Sequence, residues 1–373
     1  MRLLFFQNCI SPHQMPYIEA LCHYDEVKEV CVIVPRITYG HRANLGWPES
    51  WTKSVGKLRI LLTPSDEEVR ALLGGSNSSD KRETRRIVAL FSGISAFPEV
   101  KHWFVLSLSF KNIQRGIITE APFAKGKRWL LWLHRVRFLL TDYRYIKHVQ
   151  YVFAIGEDCV KYYQQWSSRW TVVPFMYCTR SIAPDNNFRL TEEEGSRLKI
   201  LFVGSLEPRK NVQVLLDALK DVQFDYSLSV IGDGELRTDL ELQAKKNGMN
   251  AIFEGTQPND RIHDIMANHD LLVLPSIHDG WGAVVNEAAM VGTLTCCSDR
   301  CGARMISNYV FDVDKPEYLS RLLSQVSSDL KNLRKGREDR MRWAEKNISS
   351  RALSNRMLCA LLKSVDKIGK IEK

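Results

Sequence analysis

The sequence predicts an α/β protein with two doubly wound parallel sheets. Short apolar strands alternate with helical segments along the chain, which is the pattern of parallel sheets. The 373 residues are enough for two domains, and a content of 45% hydrophobic and 25% charged residues is typical of a globular protein. Ligands of such sheets bind at the carboxyl ends of strands, so residues that follow each strand are the first candidates for function.

The second half has the more regular pattern. Its predicted strands are 199–203, 228–231, 251–253, 271–274 and 294–296. One helix is predicted to begin at Pro208, with apolar positions out to Val222, and another to be capped by Asn259 or Asp260. A third is predicted over 283–291, with Gly292 as its C-terminal cap.

The first half alternates less regularly. Its predicted strands are 3–6, 30–34, 58–62, 87–91, 116–119, 151–155 and 171–173. The polar segment 185–197 indicates a linker. The predicted division is a Rossmann-like domain 1–180, a linker 181–198, a second Rossmann-like domain 199–350 that faces the first across a cleft, and a final helical segment 351–373.

Composition limits the function classes. The net charge of +9 suits nucleic acid, anionic lipid or phosphorylated substrates. No apolar run approaches the about 18 residues that span a bilayer, and the chain does not start like a signal peptide, so we expect a cytoplasmic protein. Among the nine cysteines, Cys297 and Cys301 form a close pair with three residues between them, and no second pair or histidine cluster completes a zinc site, which favours reduced structural thiols.

The most informative segment follows the strand 271–274. Asp279 and Glu287 flank a turn with Gly280 and Gly282, and a helix follows. Free amides and the positive dipole end at a helix N-terminus favour phosphate. The amides expected to bind it are those of Gly282, Ala283 and Val284. Glu287 would repel phosphate one turn into the helix and suits hydroxyls, so the pattern predicts a sugar nucleotide. The alternative is that Asp279 caps the helix and Glu287 forms a surface ion pair.

A basic pair follows the first strand of this half. Arg209 and Lys210 come after the strand that ends at Gly204. A guanidinium fork and an ammonium give complementary contacts to a diphosphate. Since no metal ligands are evident, this pair would have to stabilise a leaving group electrostatically. The alternative is a solvated charge pair.

The segment from Asp279 to Glu287 resembles the paired-acid signature of retaining glycosyltransferases of family four, which have the GT-B fold. Those enzymes usually carry Glu-Gly-Phe-Gly and a second Glu eight positions after the first. This chain has Asp279-Gly280-Trp281-Gly282 and Glu287 at the same spacing, with Asp as the first acid. The run from Gly204 to Asn211 is similar to the family's Gly-x-x-x-x-Lys-Asn context.

The resemblance implies roles for single residues. Glu287 would bind the donor through ribose hydroxyls, and Asp279 would lie beside the transferred sugar. The segment expected to hold the nucleobase is Gly255, Thr256 and Gln257. Neither a cofactor nor a metal is expected, and the final helix would pack back on the first domain.

Acceptor residues are expected in the first half. Glu120, at the end of a strand, resembles an acidic position of some related bacterial sugar transferases and would bind acceptor hydroxyls. His13, in the loop after the first strand, would contact acceptor or donor, or else is ordinary polar surface. Residues 125–140 mix lysine and arginine with tryptophan and leucine, which predicts contact with an anionic membrane surface. The alternative is a core helix with a basic edge.

These observations predict a retaining GT-B glycosyltransferase that uses a nucleoside diphosphate sugar. Its acceptor would be a glycan or lipid-linked glycan of lipopolysaccharide or capsule synthesis, reached at the inner face of the membrane. Nucleic acid is not expected as a partner. The competing hypothesis is a catalytically inactive GT-B-like basic protein that binds nucleic acid or anionic lipid.

Overall fold

The structure is a computed structural model that describes residues 1–38, 54–74, 87–121, 128–166, 170–179 and 196–368. Two compact units make up the chain. One comprises Met1–Tyr177 with Ser350–Lys373, and the other is Cys178–Ser349. Most of the predicted linker 181–198 lies outside the described residues.

Within the described residues, the first unit forms a seven-stranded sheet. Its strands are β1 (Arg2–Phe6), β2 (Glu29–Val34), β3 (Leu58–Leu62), β4 (Ile87–Phe91), β5 (Gln114–Glu120), β6 (Tyr151–Ile155) and β7 (Thr171–Phe175). All neighbours pair in parallel, in the order β3-β2-β1-β4-β5-β6-β7. The predicted strands are confirmed, with ends that differ by two residues at most.

Strands β4 and β6 of this sheet are apolar throughout because both faces are covered. Every residue of β4 and β6 is buried. The helices between strands are α1 (Met15–Leu21), α2 (Asp66–Gly74), α3 (Pro98–Ser107), α4 (Arg128–Thr141), α5 (Tyr143–Ile146) and α6 (Glu157–Gln164). Side chains of α3, α4 and α6 join the same hydrophobic core, in which Phe91 packs on Phe104 and Phe138 on Tyr162.

The second unit has a smaller sheet of the same type. Its strands are β8 (Leu198–Val203), β9 (Tyr226–Ile231), β10 (Ala251–Gly255), β11 (Leu271–Leu274), β12 (Leu294–Ser298) and β13 (Tyr309–Phe311). They pair in parallel in the order β10-β9-β8-β11-β12-β13. The helices are α7 (Val212–Leu219), α8 (Arg237–Lys246), α9 (Asn259–Ala267), α10 (Ala283–Met290), α11 (Glu317–Ser328), α12 (Leu330–Lys335) and α13 (Arg337–Ile348).

Two predicted helix starts are wrong in detail. Pro208 begins a 3-10 turn, Pro208–Lys210, and α7 starts only at Val212 because Asn211 adopts a left-handed conformation at φ 55°. That helix also ends at Leu219, before Val222. The helix α9 includes Asn259 and Asp260 and is preceded by Pro258, with no side-chain cap.

The last helix, α14 (Ser350–Ile368), belongs to the first unit. Leu353, Met357 and Leu361 recur every fourth residue and are fully buried, which gives the helix one apolar face. Its N-terminal end lies beside α1, where the Tyr24 hydroxyl is 3.3 Å from Ser354 Oγ. None of the described helices has the length and apolar character that crossing a bilayer requires.

Candidate functional site

The strand order locates the site in the second unit. The order reverses between β8 and β11, the two central strands of that sheet. Loops that follow neighbouring strands at such a reversal form the crevice where doubly wound sheets bind ligands. Arg209 and Lys210 follow β8, and Asp279 follows β11. The fold therefore brings together residues that are 69 positions apart in sequence.

Three of the four predicted catalytic residues are in contact there. Lys210 Nζ donates a hydrogen bond of 2.6 Å to Asp279 Oδ2, and both side chains are only 13% exposed. Arg209 Nη1 lies 3.7 Å from the same carboxylate oxygen and donates to the His278 carbonyl at 3.2 Å. The carboxylate thus already carries charge compensation from two cations.

The two cations differ in what they can still offer a ligand. Arg209 Nη2 donates to Glu207 Oε1 at 2.6 Å. Hydrogen bonds from Ser205 and then Arg209 hold the pKa of Glu207 below its usual value. The Lys210 side chain packs against Gly204, because a Cβ built at Gly204 would lie 3.6 Å from Lys210 Cε. An ammonium group has three donors, so the bond to Asp279 leaves two N–H groups of Lys210 for another acceptor.

The turn after Asp279 is held by a neighbouring loop. Gly302 N donates to the Asp279 carbonyl at 3.0 Å, and Ala303 N donates to the Trp281 carbonyl at 2.7 Å. A Cβ at Gly302 would stand 2.0 Å from the Gly280 carbonyl oxygen, so a side chain there would force the two loops apart. The turn is therefore positioned by backbone contacts with the loop at Gly302 and Ala303.

Gly282 lets this turn enter α10. Its φ of 88° lies in the left-handed region, and a Cβ there would meet Cys301 Sγ at 2.7 Å. The helix begins at Ala283, and the amides of its first turn have no acceptor within the helix. The predicted phosphate amides of Gly282, Ala283 and Val284 are therefore at a helix N-terminus.

Glu287 occupies a different environment from the other three residues. It lies on α10 and is 8% exposed. No hydrogen bond or ion pair from the described part of the chain reaches its carboxylate. Burial raises the pKa of the Glu287 carboxyl to about 7. This arrangement rules out the surface ion pair that was the alternative for this residue.

The predicted nucleobase segment lies at the end of β10. Gly255 has a φ of 70°, and a Cβ there would lie 3.1 Å from Arg237 Nη1. Arg237 also pairs with Asp233 at 3.1 Å and with Glu241 at 2.8 Å. Thr256 is exposed at the same edge. Sequence reasoning assigned no role to Arg237, although this residue begins α8 shortly after the glycine turn 232–234.

Other glycines of this edge serve packing. A Cβ at Gly232 would stand 1.9 Å from the Gly204 carbonyl oxygen, and one at Gly234 would stand 2.5 Å from that of Leu206. This Gly-x-Gly turn therefore supports the loop that carries Arg209. Gln257 is the last of the predicted nucleobase residues, and its side-chain amide donates a hydrogen bond of 3.1 Å to the Glu254 carbonyl.

The predicted acceptor residues of the first unit gather around a tyrosine that the sequence analysis did not single out. Tyr177 donates a hydrogen bond of 2.8 Å to Glu120 Oε1, and its ring lies 6.3 Å from that of His13. Burial, together with the charge of Glu120, raises the pKa of Tyr177 well above its usual value. Its place just after β7, at the same carboxyl edge as Glu120, is the signal that could have identified it.

The cysteines and titratable groups give no metal centre in the described ranges. All nine cysteines are free thiols. Cys301 donates to the Trp281 carbonyl at 3.0 Å and so takes part in the packing of the turn. No described trio of His, Cys, Asp or Glu side chains is arranged to bind a metal ion. The absence of a metal requirement stays a prediction.

Comparison with known proteins finds similarity in sequence and in fold. The family pattern described as "Glycosyl transferases group 1" matches residues 185–348. That match lies within the second unit. A 2-deoxystreptamine glucosyltransferase of Streptomyces kanamyceticus is 34% identical over 111 residues, 28% of each chain. A lipopolysaccharide 1,2-N-acetylglucosaminetransferase of Salmonella typhimurium is 26% identical over 174 residues, 42% of this chain and 45% of the relative.

The fold comparison extends over both units. The structure of Anabaena HepE in complex with UDP is similar over 97% of this chain and 100% of that chain, with a TM-score of 0.66 and 14% identity. At this identity the likeness establishes the GT-B fold, as predicted. In sequence, the chain spans less than half the length of the curated relatives it matches.

Proposed function

We propose that this protein is a retaining glycosyltransferase that moves a sugar from a nucleoside diphosphate sugar to a hydroxyl of a glycan. The observation that carries the proposal is the contact of Lys210 and Arg209 with Asp279 at the point where the strand order reverses. Cations for a diphosphate and a carboxylate for sugar hydroxyls occur together there, beside the N-terminus of α10. The UDP bound in the Anabaena structure supports the donor class.

Lys210 and Arg209 stabilise the leaving group in this mechanism. Negative charge grows on the diphosphate when the sugar–phosphate bond breaks, and preorganised donors aimed at that charge lower the barrier. Asp279 holds the Lys210 ammonium through one N–H and leaves two for phosphate oxygens. The first amides of α10 add to the same field.

Asp279 and Glu287 bind hydroxyls. Asp279 Oδ2 is taken by Lys210, so Oδ1 is the atom for a hydroxyl of the transferred sugar. Glu287 has a pKa of about 7 because it is buried. Ribose hydroxyls that donate to its carboxylate would stabilise the charged form, as the resemblance to family four implies.

The acceptor proposed is a glycan or lipid-linked glycan of surface polysaccharide synthesis, either lipopolysaccharide or capsule. The Salmonella relative, named for lipopolysaccharide synthesis, supports this class. Glu120 and His13, joined through Tyr177, would contact the acceptor. Retention of anomeric configuration is what the resemblance to family four implies, and the anomer of the product, read by NMR, tests it.

The first experiment is a thermal-shift screen of the full chain with UDP-, GDP- and ADP-sugars, because a bound ligand stabilises in proportion to its affinity. Glu287→Gln should weaken the binding of the active donor, with Asp239→Asn as an exposed control on α8. The competing hypothesis of a binding protein would be favoured by no turnover of any sugar nucleotide together with salt-sensitive binding of nucleic acid. Normal donor affinity in Glu287→Gln would reject the ribose role.

We also propose that α4 contacts an anionic membrane surface. Trp132, Leu133, Leu139 and Leu140 fall on one helical face and are 44% to 74% exposed. Phe138 lies on the opposite face and is buried. The exposed side is therefore apolar rather than a basic edge, which favours the membrane hypothesis over the core helix.

Basic residues flank this apolar face. Arg137, Arg144 and Lys147 are exposed beside it, while 125–127 lie outside the described residues. The double variant Trp132→Ser with Leu140→Ser should release the protein from vesicles that contain phosphatidylserine. Leu242→Ser is the control, since Leu242 is 61% exposed on α8. Equal pelleting of all three proteins would remove the membrane contact from the proposal.

A further inference from the structure

A cavity of about 280 Å³ lies in the first unit at the carboxyl ends of β4 and β5. Ligand pockets start at about 300 Å³, so this one has the size for a single small ring rather than an oligosaccharide. The turn after β4, the end of β5 and the helices α4 and α6 form its walls. Its polar lining comprises Ser95, Thr119, Glu120, Arg137, Thr141 and Asp142.

The residues of this lining include buried polar atoms that have no hydrogen-bond partner among the described residues. Neither Ser95 Oγ nor Asp142 Oδ1 has a hydrogen-bond partner in the ranges that the structure describes. Asp142 precedes α5, but its side chain makes no capping bond to that helix. A buried polar group without a partner costs about 1–3 kcal/mol, and a charged one costs more. Both residues line the cavity, so a ligand with hydroxyl groups could satisfy these atoms.

Aromatic rings form the apolar part of the same lining. Phe138, Tyr162 and Tyr163 line the cavity, and the centroids of Phe138 and Tyr162 are 5.9 Å apart in an edge-to-face arrangement. A sugar ring has an apolar C–H face and a rim of hydroxyls. An aromatic wall next to carboxylates and hydroxyls offers a partner to each of these surfaces.

The charges of the lining discriminate between classes of sugar. Asp142 and Glu120 are carboxylates, and Glu120 Oε1 already accepts a bond from Tyr177. Arg137, the cation of the lining, is exposed, so solvent screens it more than the buried Asp142 oxygen. A carboxylate or phosphate on the ligand would therefore meet repulsion from Asp142. A hydroxyl, in contrast, would donate to it.

We propose that this cavity binds one uncharged sugar ring of the acceptor and excludes anionic sugars. Asp142 Oδ1 accepts a hydrogen bond from a ring hydroxyl, and Ser95 Oγ bonds a neighbouring one. That the ring belongs to the acceptor rests on the proposed function, whereas the affinity for an uncharged ring does not. Asp142 and Ser95 are recognition residues in this proposal, and they take no part in the bond-breaking step.

The test is ligand-observed NMR on the full chain with separate probes. The probes are the methyl glycosides of glucose, galactose, mannose and N-acetylglucosamine, and the methyl glycoside of glucuronic acid. At least one uncharged glycoside should bind. Asp142→Ala should weaken that binding about tenfold or more, as expected for the loss of a hydrogen bond to a charged group. Asp25→Ala, an exposed aspartate in a turn of the same unit, should leave it unchanged.

A second variant keeps the test valid if Asp142→Ala folds poorly. Asp142→Asn retains the shape and removes the charge, so it should admit the glucuronide that the unaltered protein rejects. Tighter binding of the glucuronide than of every uncharged glycoside by the unaltered protein would overturn the proposal. The absence of binding by any uncharged glycoside would overturn it too, as would unchanged binding in both Asp142→Ala and Ser95→Ala.

The measurements distinguish a failure of the cavity proposal from a failure of the proposed function. Sugar-nucleotide binding, which is proposed for the second unit, is measured by thermal shift of the full chain. Glycoside binding is measured without any nucleotide. Donor binding without glycoside binding would reject the cavity and leave the glycosyltransferase proposal intact. Glycoside binding that depends on Asp142, without binding of any donor, would support the cavity and reject the proposed function.

Discussion

Polar side chains near the carboxyl edges of the two sheets differ in how they are bonded. In the second unit, Lys210 and Arg209 compensate the charge of Asp279. In the first unit, Gln7 and Asp142 carry buried polar atoms that no described residue bonds. Paired groups are held by their own contacts, which a ligand must share. A buried polar group without a partner is destabilising until a ligand or water satisfies it.

Gln7 gives the clearest case of the unpaired kind. It follows β1 and is 1% exposed, yet neither atom of its side-chain amide has a partner among the described residues. Ser92 follows β4 in register with it, with its amide bonded to the Phe6 carbonyl at 3.0 Å, and its hydroxyl is also unpartnered. The strand order reverses between β1 and β4, which is where such sheets bind ligands.

The second unit contains a further ion pair that gives an internal reference. Arg334 donates to both oxygens of Asp270 at 2.8 and 2.9 Å, and Asp270 also accepts from Lys199 N at 3.0 Å. The Asp270 side chain is 1% exposed and lies at the start of β11, the edge opposite to Asp279. We therefore assign this pair to stability and the Lys210–Asp279 pair to function.

The largest effect is expected for the stability pair. Arg334→Ala leaves the Asp270 carboxylate buried without its cation, which should lower the free energy of unfolding by about 3–5 kcal/mol. Urea unfolding measures the loss. Arg342→Ala is the control, since Arg342 is 69% exposed in its pairs with Glu338 and Asp339. Equal losses in the two variants would remove the contrast between buried and exposed pairs.

The Lys210–Asp279 pair should affect the rate of sugar transfer. Lys210→Ala removes a donor to the leaving diphosphate and should slow sugar transfer by about 10²–10³-fold, as the loss of one preorganised donor does. Initial rates with the donor identified by thermal shift measure it. Lys220→Ala, an exposed lysine just after α7, should keep the full rate. Unchanged turnover in both Lys210→Ala and Arg209→Ala would show that the phosphate role is wrong.

Glu287 should make stability depend on pH. Burial raises the pKa of its carboxyl in the folded state from about 4.5 to about 7. Below about pH 4 both states carry the proton, so burial has little cost. As pH rises through this window the unfolded state ionises first and stability falls. Glu287→Gln should therefore stabilise the protein by about 2–3 kcal/mol more at pH 8 than at pH 4.

Unfolding curves at the two pH values test the Glu287 prediction. The exposed Glu317 at the start of α11 supplies the control variant, Glu317→Gln. A pH-independent difference between Glu287→Gln and the unaltered protein would mean that the carboxyl is not raised in pKa by burial.

The smallest effect on the free energy of unfolding is expected for the unpartnered Gln7. Gln7→Met replaces the unsatisfied amide by an apolar side chain of similar length, which should raise the free energy of unfolding by about 1 kcal/mol. Asp270→Asn, at a fully partnered buried position, should lower it instead. Loss of stability in Gln7→Met would indicate that Gln7 is bonded in solution and would weaken the contrast between the two edges.

Much of the fold could be predicted from the sequence because its signals are local. Short apolar runs such as 87–91 and 151–155 favour buried strands, and both are confirmed at those bounds. The turn at Gly282 and the start of α10 were also predicted, since glycine and helix periodicity identify them. The missed details arose where backbone geometry competes with propensity, as at Asn211, whose left-handed conformation delays α7.

The arrangement of the site was harder to predict. That Lys210 would bond Asp279 depends on β8 and β11 being neighbours, which no local pattern specifies. The burial of Glu287 and the unpartnered Asp142 depend on the elements packed around them. Sequence identifies which residues carry the chemistry, while the strand order decides which of them meet.

A calorimetric titration with UDP, GDP and ADP tests the diphosphate site most directly. It compares the unaltered protein with Lys210→Ala and Lys220→Ala. We expect one of the three nucleotides to bind, with affinity at least about tenfold lower in Lys210→Ala and unchanged in Lys220→Ala. Binding of none of them, or equal affinity in all three proteins, would contradict a diphosphate site at Lys210 and Asp279.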